Sequence, residues 1–519
     1  MFALRLYLPV MDVRAPSPFR DPRTRAVAAV AALVAGFGTW WLTAPPGALG
    51  LQPDSFAYLS GGWFLAHGEG LRVPLQSWAS ADTTRLWVWE PPGFSAAIAG
   101  GVRTGLSAID ATRVVQALSA AVTAFFAAGT AALLPGAVGG TAAAVLASLL
   151  LLCSPFFWEL HIQALSEPLF LAFFALWAYR SVRTRDGDWR LATVLAALPV
   201  VRWIGLGIIP ATAWNAWRGR TTLRVVLPAV FVVVLWLLFL PAALAGRAQH
   251  LHWIGENLAH MPRDLAITLI HVAVPVRIPA RSFFGVVAWL LVALLWWRVL
   301  RVDPDGTRWR FTRLAIGAAG LALILIPTSL LLDASVRFDE QRHVVPGLLL
   351  AMVGIAGAIA LAWQRTGEWM RRTFIACAVV WSGAGMYATA ELARDVRRAP
   401  LFLAGPQWRD AEVVRWVRAP GSGSSAHSLY TNQPWALWFH AHRVARIVCA
   451  DAVDRTLHTG CPVESVDPVA LRETLARRDG YLVDVTVPWP GVLSVEPLAQ
   501  RAGLVLVARF PDGSVWRAP

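Results

Sequence analysis

Lysine is absent from this chain, so all 46 basic residues are arginine. Charge of either sign is scarce: charged residues make up 15% of the sequence against 56% hydrophobic, and the mean hydropathy is +0.53. A soluble fold cannot be built from this composition over 519 residues, because too little polar surface is left to cover the core. With only 32 acidic residues the formal net charge is +14. That excess does not read as nucleic-acid affinity. The arginines sit in short connections between apolar runs, where they set membrane topology, and no folded basic domain gathers them. Cysteine is nearly absent too. Of the four, Cys153 and Cys377 lie in apolar runs and read as core thiols. Cys449 and Cys461 fall in the polar C-terminal region, where an extracytoplasmic compartment would permit a disulfide between them. Neither the cysteines nor the 11 histidines have zinc-finger spacing.

What the sequence does contain is a series of apolar runs, several approaching the roughly 20 residues needed to cross a hydrocarbon layer of about 30 Å. Arg5, Arg14, Arg20, Arg23 and Arg25 precede a first span at 26–44 that lacks a cleavable signal, which leaves the N-terminus in the cytoplasm. A long external segment, 45–111, follows, with an amphipathic stretch (Phe56, Leu59, Trp63) suited to the membrane interface. Further spans are expected at 112–134, 139–154 and 162–180. Two short helices meet near Arg202 within 191–217, and spans at 223–244, 283–299, 313–332, 344–363 and 373–391 complete the set. The arginine clusters at 180–190, 218–224, 298–313 and 365–372 then share one side with the N-terminus, while the loop 246–282 opposes them. The fold class expected is a mostly α polytopic membrane protein of about eleven transmembrane helices, with its catalytic unit at 1–395. Beyond residue 395 the apolar runs shrink to strand length at Ser428–Thr431, Val444–Val448, Tyr481–Val487 and Leu504–Phe510. Helix-like stretches at Arg409–Val417 and Pro468–Arg478 alternate with them, so 396–519 reads as a small α/β domain. An odd number of spans puts it outside the cytoplasm.

Ionisable residues at the outer ends of the spans form a set facing that same compartment: Asp54, Glu90, His161, Glu167, Arg202, Arg337, Asp339, Glu340, Arg342 and His343. Each such charge is costly beside hydrocarbon and needs a reason. Asp54, after Pro53, is placed either to cap an amphipathic helix or to act as a base at the membrane face. Glu90 precedes a stiff Pro91-Pro92-Gly93 turn and is either a solvated loop carboxylate or a site group. Ser166 and Glu167 satisfy a helix start or line a site, and His161 stands one turn earlier. Arg202 interrupts an apolar region and demands a carboxylate or phosphate partner. Arg337, Arg342 and His343 add cationic character, either for a lipid phosphate or for an internal salt-bridge network.

In order along the chain, the motifs are Pro-Asp-Ser-x-x-Tyr, Glu-Pro-Pro-Gly-Phe, Leu-Ser-Glu-Pro-Leu-Phe, Arg-Trp-Ile-Gly and Arg-His-Val-Val-Pro. Together they resemble the GT-C membrane glycosyltransferases, the bacterial members similar to protein O-mannosyltransferases and lipid A aminoarabinose transferases. The resemblance covers roughly residues 26–365 and does not extend to the C-terminal region. It implies transfer of a sugar from a polyprenyl-phosphate carrier to an extracytoplasmic lipid, protein or glycan, with inversion. Asp54 matches the acidic base of the family's first external loop, and Arg202 and Arg342 are candidates to hold the leaving phosphate. Tyr58 and Glu90 would then shape the sugar pocket, with His161 and Glu167 at its rim. Arg337 and His343 join the substrate-binding set. Two departures leave donor and acceptor open: Ser55 stands where protein O-mannosyltransferases have a second acid, and Glu90 where aminoarabinose transferases have lysine before the Pro-Pro element. A monophosphate leaving group does not oblige the use of Mg²⁺, so no cofactor is assigned and a divalent metal is left open. The implied setting is the inner (plasma) membrane, with membrane lipids as partners. A lipid-linked sugar flippase or secondary transporter is the alternative, although charges gathered at one face suit it less than charges at mid-membrane. A non-catalytic scaffold is the third reading.

Overall fold

The computed structural model describes residues 17–45, 47–86, 90–135, 139–183, 189–218, 225–244, 254–276, 281–302, 307–331, 341–398, 403–420, 427–448, 466–487 and 494–519. Arg337, Asp339, Glu340, Cys449 and Cys461 lie outside these residues. The helices are α1 (Pro22–Thr43), α2 (Pro53–Ala66), α3 (Gly93–Arg103), α4 (Ala108–Leu133), α5 (Gly140–Leu152), α6 (Pro155–His161), α7 (Glu167–Arg183), α8 (Trp189–Val201), α9 (Ile208–Arg218), α10 (Leu227–Leu244), α11 (Ile254–Ala273), α12 (Arg281–Val302), α13 (Thr307–Leu331), α14 (Val345–Arg365) and α15 (Glu368–Arg398). Among the described residues, α1, α4, α14 and α15 are long and apolar enough to cross a membrane. The pair α5 and α6, bent by 63°, raises the number to five if it forms one broken span. At 1.5 Å per residue, α5 alone is only about 20 Å long, too short to span without α6.

Small residues set the packing. Ala31 and Ala35 of α1 are buried in one cluster with Ala120, Ala124, Ala127 and Ala131 of α4, where the absence of bulk lets backbones approach closely. Larger side chains, Phe170, Phe174 and Trp177 of α7, fill the space behind them. A close approach lies between Gly207 and Gly320 of α13, where a Cβ on either residue would collide with the carbonyl oxygen of the other. Gly207 ends the 3₁₀ turn Trp203–Gly207 that follows Arg202, so this contact helps place that arginine. Gly320→Val is expected to destabilise the bundle by about 1–3 kcal/mol or more through overpacking, read as a lowered thermal midpoint in detergent.

Three differences from the sequence reading have clear causes. Helix α7 begins at Glu167, not at 162, because residues 163–166 leave the helix to bond elsewhere: Ala164 N–H donates to Gly50 O at 2.8 Å and Gly50 N–H to Ile162 O at 2.8 Å. The loop expected at 246–282 contains α11, whose Arg263, Pro262 and histidines masked its amphipathic period. Helix α2 does not lie at an open interface. Phe56 and Leu59 are buried, and Phe56 meets Trp438 and Phe439 edge-on at 5.7 and 6.0 Å, while Trp63 keeps partial exposure.

The C-terminal region forms a five-stranded sheet in the order β4-β3-β5-β7-β6, built from β3 (Ser428–Thr431), β4 (Ala445–Ile447), β5 (Gly480–Val485), β6 (Val505–Phe510) and β7 (Gly513–Arg517). β3 pairs in parallel with β4 and β5, and β7 is antiparallel to β5 and β6. Helix Pro468–Arg477 makes the crossover into β5 and is capped by Asp467, which accepts from the amides of Val469 and Ala470. Strand β7 was not foreseen, since a five-residue run opening on glycine shows no alternation. The buried face of this sheet shares one hydrophobic cluster with α2 and α3, so sheet and bundle meet around residues 45–111. Within that segment, β1 (Arg72–Val73) and β2 (Arg85–Leu86) pair antiparallel as a short hairpin stem.

Candidate functional site

Three helices begin where the cluster forms, and each has proline in its first turn: Pro53 in α2, Pro168 in α7 and Pro346 in α14. Proline suits these positions because its missing N–H would be unpaired there in any case. The three N-termini contribute partial positive charge to the same region.

Asp54 is not the cap of α2. Gln52 is the N-cap and forms a capping box with Ser55, which leaves Asp54 in the first turn with its carboxylate turned outward. Its Oδ2 accepts from Arg342 Nη1 at 3.0 Å. The same guanidinium donates to Gln52 Oε1 at 3.3 Å and lies 3.9 Å from Glu167 Oε1 through Nε. Arg202 approaches from the other side. Its backbone is extended between α8 and the 3₁₀ turn, and Nη1 lies 2.5 Å from Glu167 Oε1 and 3.3 Å from Ser166 Oγ. Its Nη2 donates to His343 Nδ1 at 3.3 Å. Glu167 is nearly fully buried and is paired with both guanidinium groups, Arg202 close and Arg342 at longer range.

A chain of hydrogen bonds leads away from Arg202. Ser166 Oγ accepts from Arg202 and lies 3.0 Å from Tyr58 Oη, and Tyr58 Oη donates to Glu90 Oε2 at 2.8 Å. Burial first, then the Glu90 carboxylate, raises the Tyr58 pKa well above its ordinary value, so the phenol stays protonated and donates. His343 moves the other way. Burial, followed by the Arg342 and Arg202 charges, pushes it well below the usual imidazole range, so near neutrality it is uncharged and accepts from Arg202. Gly93, directly after the Pro-Pro turn, packs against the Val200 carbonyl with no room for a Cβ, and this close approach brings Glu90 to the end of α8.

Asp54, Tyr58, Glu90, Glu167, Arg202, Arg342 and His343 are therefore brought together from five separate stretches of chain. His161 is not joined to them. It is buried, its Nδ1 bonds Phe157 O at 2.6 Å, and among the described residues its Nε2 has no partner. The sequence reading overlooked Gln52 and Gln163, joined by a 2.6 Å bond from Gln52 Nε2 to Gln163 Oε1. It also overlooked Gln116, a buried amide in α4 whose Nε2 donates to the carbonyls of Gln163 and Leu165. A polar amide inside the apolar run of α4 was the signal available for it. Among the described residues, no group of three or more His, Cys, Asp or Glu side chains is placed to hold a metal ion.

The arrangement can bind an anion between two guanidinium groups while offering a carboxylate, Asp54, beside it. Scans against protein-family models and curated proteins found no match. Among solved structures, the chain is similar to ArnT from Cupriavidus metallidurans bound to undecaprenyl phosphate. The TM-score is 0.54 at 15% identity, with 97% of this chain and 99% of that one covered. The apo state of the same protein gives 0.55 at 13% identity, covering 96% and 97%. A mutant form of the arabinofuranosyltransferase AftD from mycobacteria gives 0.50 at 16% identity over 98% of this chain, which spans 42% of that larger one. At these identities the likeness is one of fold: the chain is a mostly helical protein with the GT-C membrane fold.

Proposed function

We propose that this protein is a membrane glycosyltransferase that moves a sugar from a polyprenyl-phosphate carrier to an extracytoplasmic lipid, protein or glycan acceptor, with inversion. The observation that carries this reading is the convergence of Arg202 and Arg342 beside Asp54 at one end of the bundle. ArnT, whose fold this chain shares, was solved with undecaprenyl phosphate, and a lipid phosphate is the ligand that two guanidinium groups beside a membrane best suit.

In this mechanism the donor phosphate lies against Arg202 and Arg342, with the helix N-termini adding to its stabilisation. Asp54 removes the proton from the acceptor hydroxyl or amine as its lone pair attacks the anomeric carbon. The bond from that carbon to the phosphate oxygen breaks on the opposite face, and the negative charge gathers on the lipid phosphate held by the arginines. Arg342 touches the base now and would touch the leaving group then, so arrival of phosphate loosens its hold on Asp54. Tyr58 and Glu90 face the sugar, and His343 and Glu167 keep the guanidinium groups aimed. Arg337 joins the phosphate side and His161 the rim by their places in the sequence. The proposed setting is the inner membrane, with about eleven spans, a cytoplasmic N-terminus, and 396–519 as an extracytoplasmic domain over the unit at 1–395.

Polyprenyl phosphate is expected to raise the thermal midpoint of the purified protein, because a ligand bound only by the folded state stabilises it, by about 2.7 kcal/mol at a hundred times its Kd. The corresponding polyprenol, lacking the phosphate, is expected to give little shift. Equal shifts from both lipids would show that the arginines do not read phosphate.

A further inference from the structure

The hairpin that carries the chain from α2 to Glu90 does not stand alone. Its tip lies along β4, the edge strand of the C-terminal sheet: Trp78 N–H donates to Ile447 O at 2.9 Å, and Ile447 N–H donates to Gln76 O at 2.8 Å. The tip thus adds to the sheet as a further short strand. Two arginines of the C-terminal region close over it. Arg446 Nη2 donates to Ala81 O at 3.0 Å and Arg478 Nη1 to Ser80 O at 2.7 Å. Arg446 is only 6% exposed, and its guanidinium lies 5.6 Å from the centre of the Tyr430 ring. Burying a guanidinium is costly, and an apolar side chain between Ala445 and Ile447 would complete this strand with less penalty. The placement makes sense if the hairpin carbonyls must be held. The stem is tied as well, by Arg72 Nε to Thr84 Oγ1 at 2.9 Å and Gln76 Nε2 to Thr84 O at 3.3 Å. Beyond the stem, four residues after Leu86, stands Glu90 with its bond from Tyr58.

We propose that Arg446 and Arg478 are positioning residues, which lock the hairpin tip onto the C-terminal sheet and so hold Glu90 against Tyr58. The C-terminal region thereby sets one wall of the site. The functional half of this inference rests on the transfer reaction proposed above; the structural half does not.

The test uses full-length protein in lipid nanodiscs, comparing wild type with Arg446→Met and Arg446→Lys by amide hydrogen exchange, donor kinetics and the thermal shift given by polyprenyl phosphate alone. In Arg446→Met, exchange at the Trp78 and Ile447 amides is expected to quicken about tenfold or more as the local contact opens more often. The donor KM is expected to rise about tenfold, while the thermal shift with bare polyprenyl phosphate stays at the wild-type value. Arg446→Lys, which keeps a donor and a charge, is expected to recover part of both effects. Should Arg446→Met fail to fold, Arg478→Met is read in the same way. Unchanged exchange in a folded variant overturns the proposal, as does loss of the lipid-phosphate shift together with the KM effect, which would mark general destabilisation. Faster exchange at the hairpin, with no transfer by wild type from any polyprenyl-phosphate sugar, supports the clamp and removes the reaction instead.

Discussion

Asp54→Asn is expected to lower the proposed sugar transfer by about 10²–10⁴-fold, the range that loss of a general base produces, in protein that still inserts and folds. The substitution is nearly isosteric and keeps a group able to interact with Arg342, now 3.0 Å from Asp54 Oδ2. Asp54 does not cap α2, since Gln52 and Ser55 do that. The helix therefore loses no cap, and the thermal midpoint is expected to change little. Initial rates from a saturating polyprenyl-phosphate sugar check the first expectation and detergent melting the second. A mutant that transfers at the wild-type rate would show that neither the basicity nor the charge of Asp54 is needed and would remove it as the base.

Arg202→Met has the second large effect, and it acts on stability as well as activity. Glu167 is 4% exposed with its Oε1 2.5 Å from Arg202, so removing the guanidinium strands a buried carboxylate beside only the more distant Arg342. Breaking such a pair from one side costs about 3–5 kcal/mol. The double variant Arg202→Met with Glu167→Gln removes the stranded charge and is expected to recover most of that loss. Transfer is not expected to recover, because in the proposed mechanism the phosphate would have lost one of its two cations. Stability and activity thus separate in the double variant, measured as thermal midpoint and donor turnover on one preparation. If the double variant regained transfer, Arg202 would be only the partner of Glu167.

Much of the fold was legible because the bilayer imposes strong rules. Apolar runs bounded by arginine gave helices where they were expected, and Arg202 marked the break between α8 and the turn before α9. The strand-length apolar runs at Ser428–Thr431 and Tyr481–Val487 stood out against the longer runs before them and became the strands Ser428–Thr431 and Gly480–Val485. The site was legible as a list but not as a geometry. Asp54 and Arg342 are 288 residues apart, and no spacing rule pairs them; only the shared side of the membrane suggested it. The choice between cap and base at Asp54 stayed open in the sequence because aspartate is a common capping residue, whereas here glutamine two positions earlier takes that place. Gln116 escaped notice because its importance lies in supporting the break at 163–166, and that break depends on a bridge to Gly50 with no local signal. The hairpin clamp was invisible for the same reason: Arg446 lies 365 residues from Ala81.

The most direct test of the central claim follows both halves of the donor at once. Purified wild-type protein in sealed vesicles is given a polyprenyl-phosphate sugar labelled separately in its sugar and its phosphate, together with an envelope extract supplying acceptors. The account predicts that the labels part, the sugar passing to the acceptor and the phosphate remaining in free polyprenyl phosphate. Labels that stay together and cross the bilayer as one molecule would contradict it and make the protein a carrier of lipid-linked sugar.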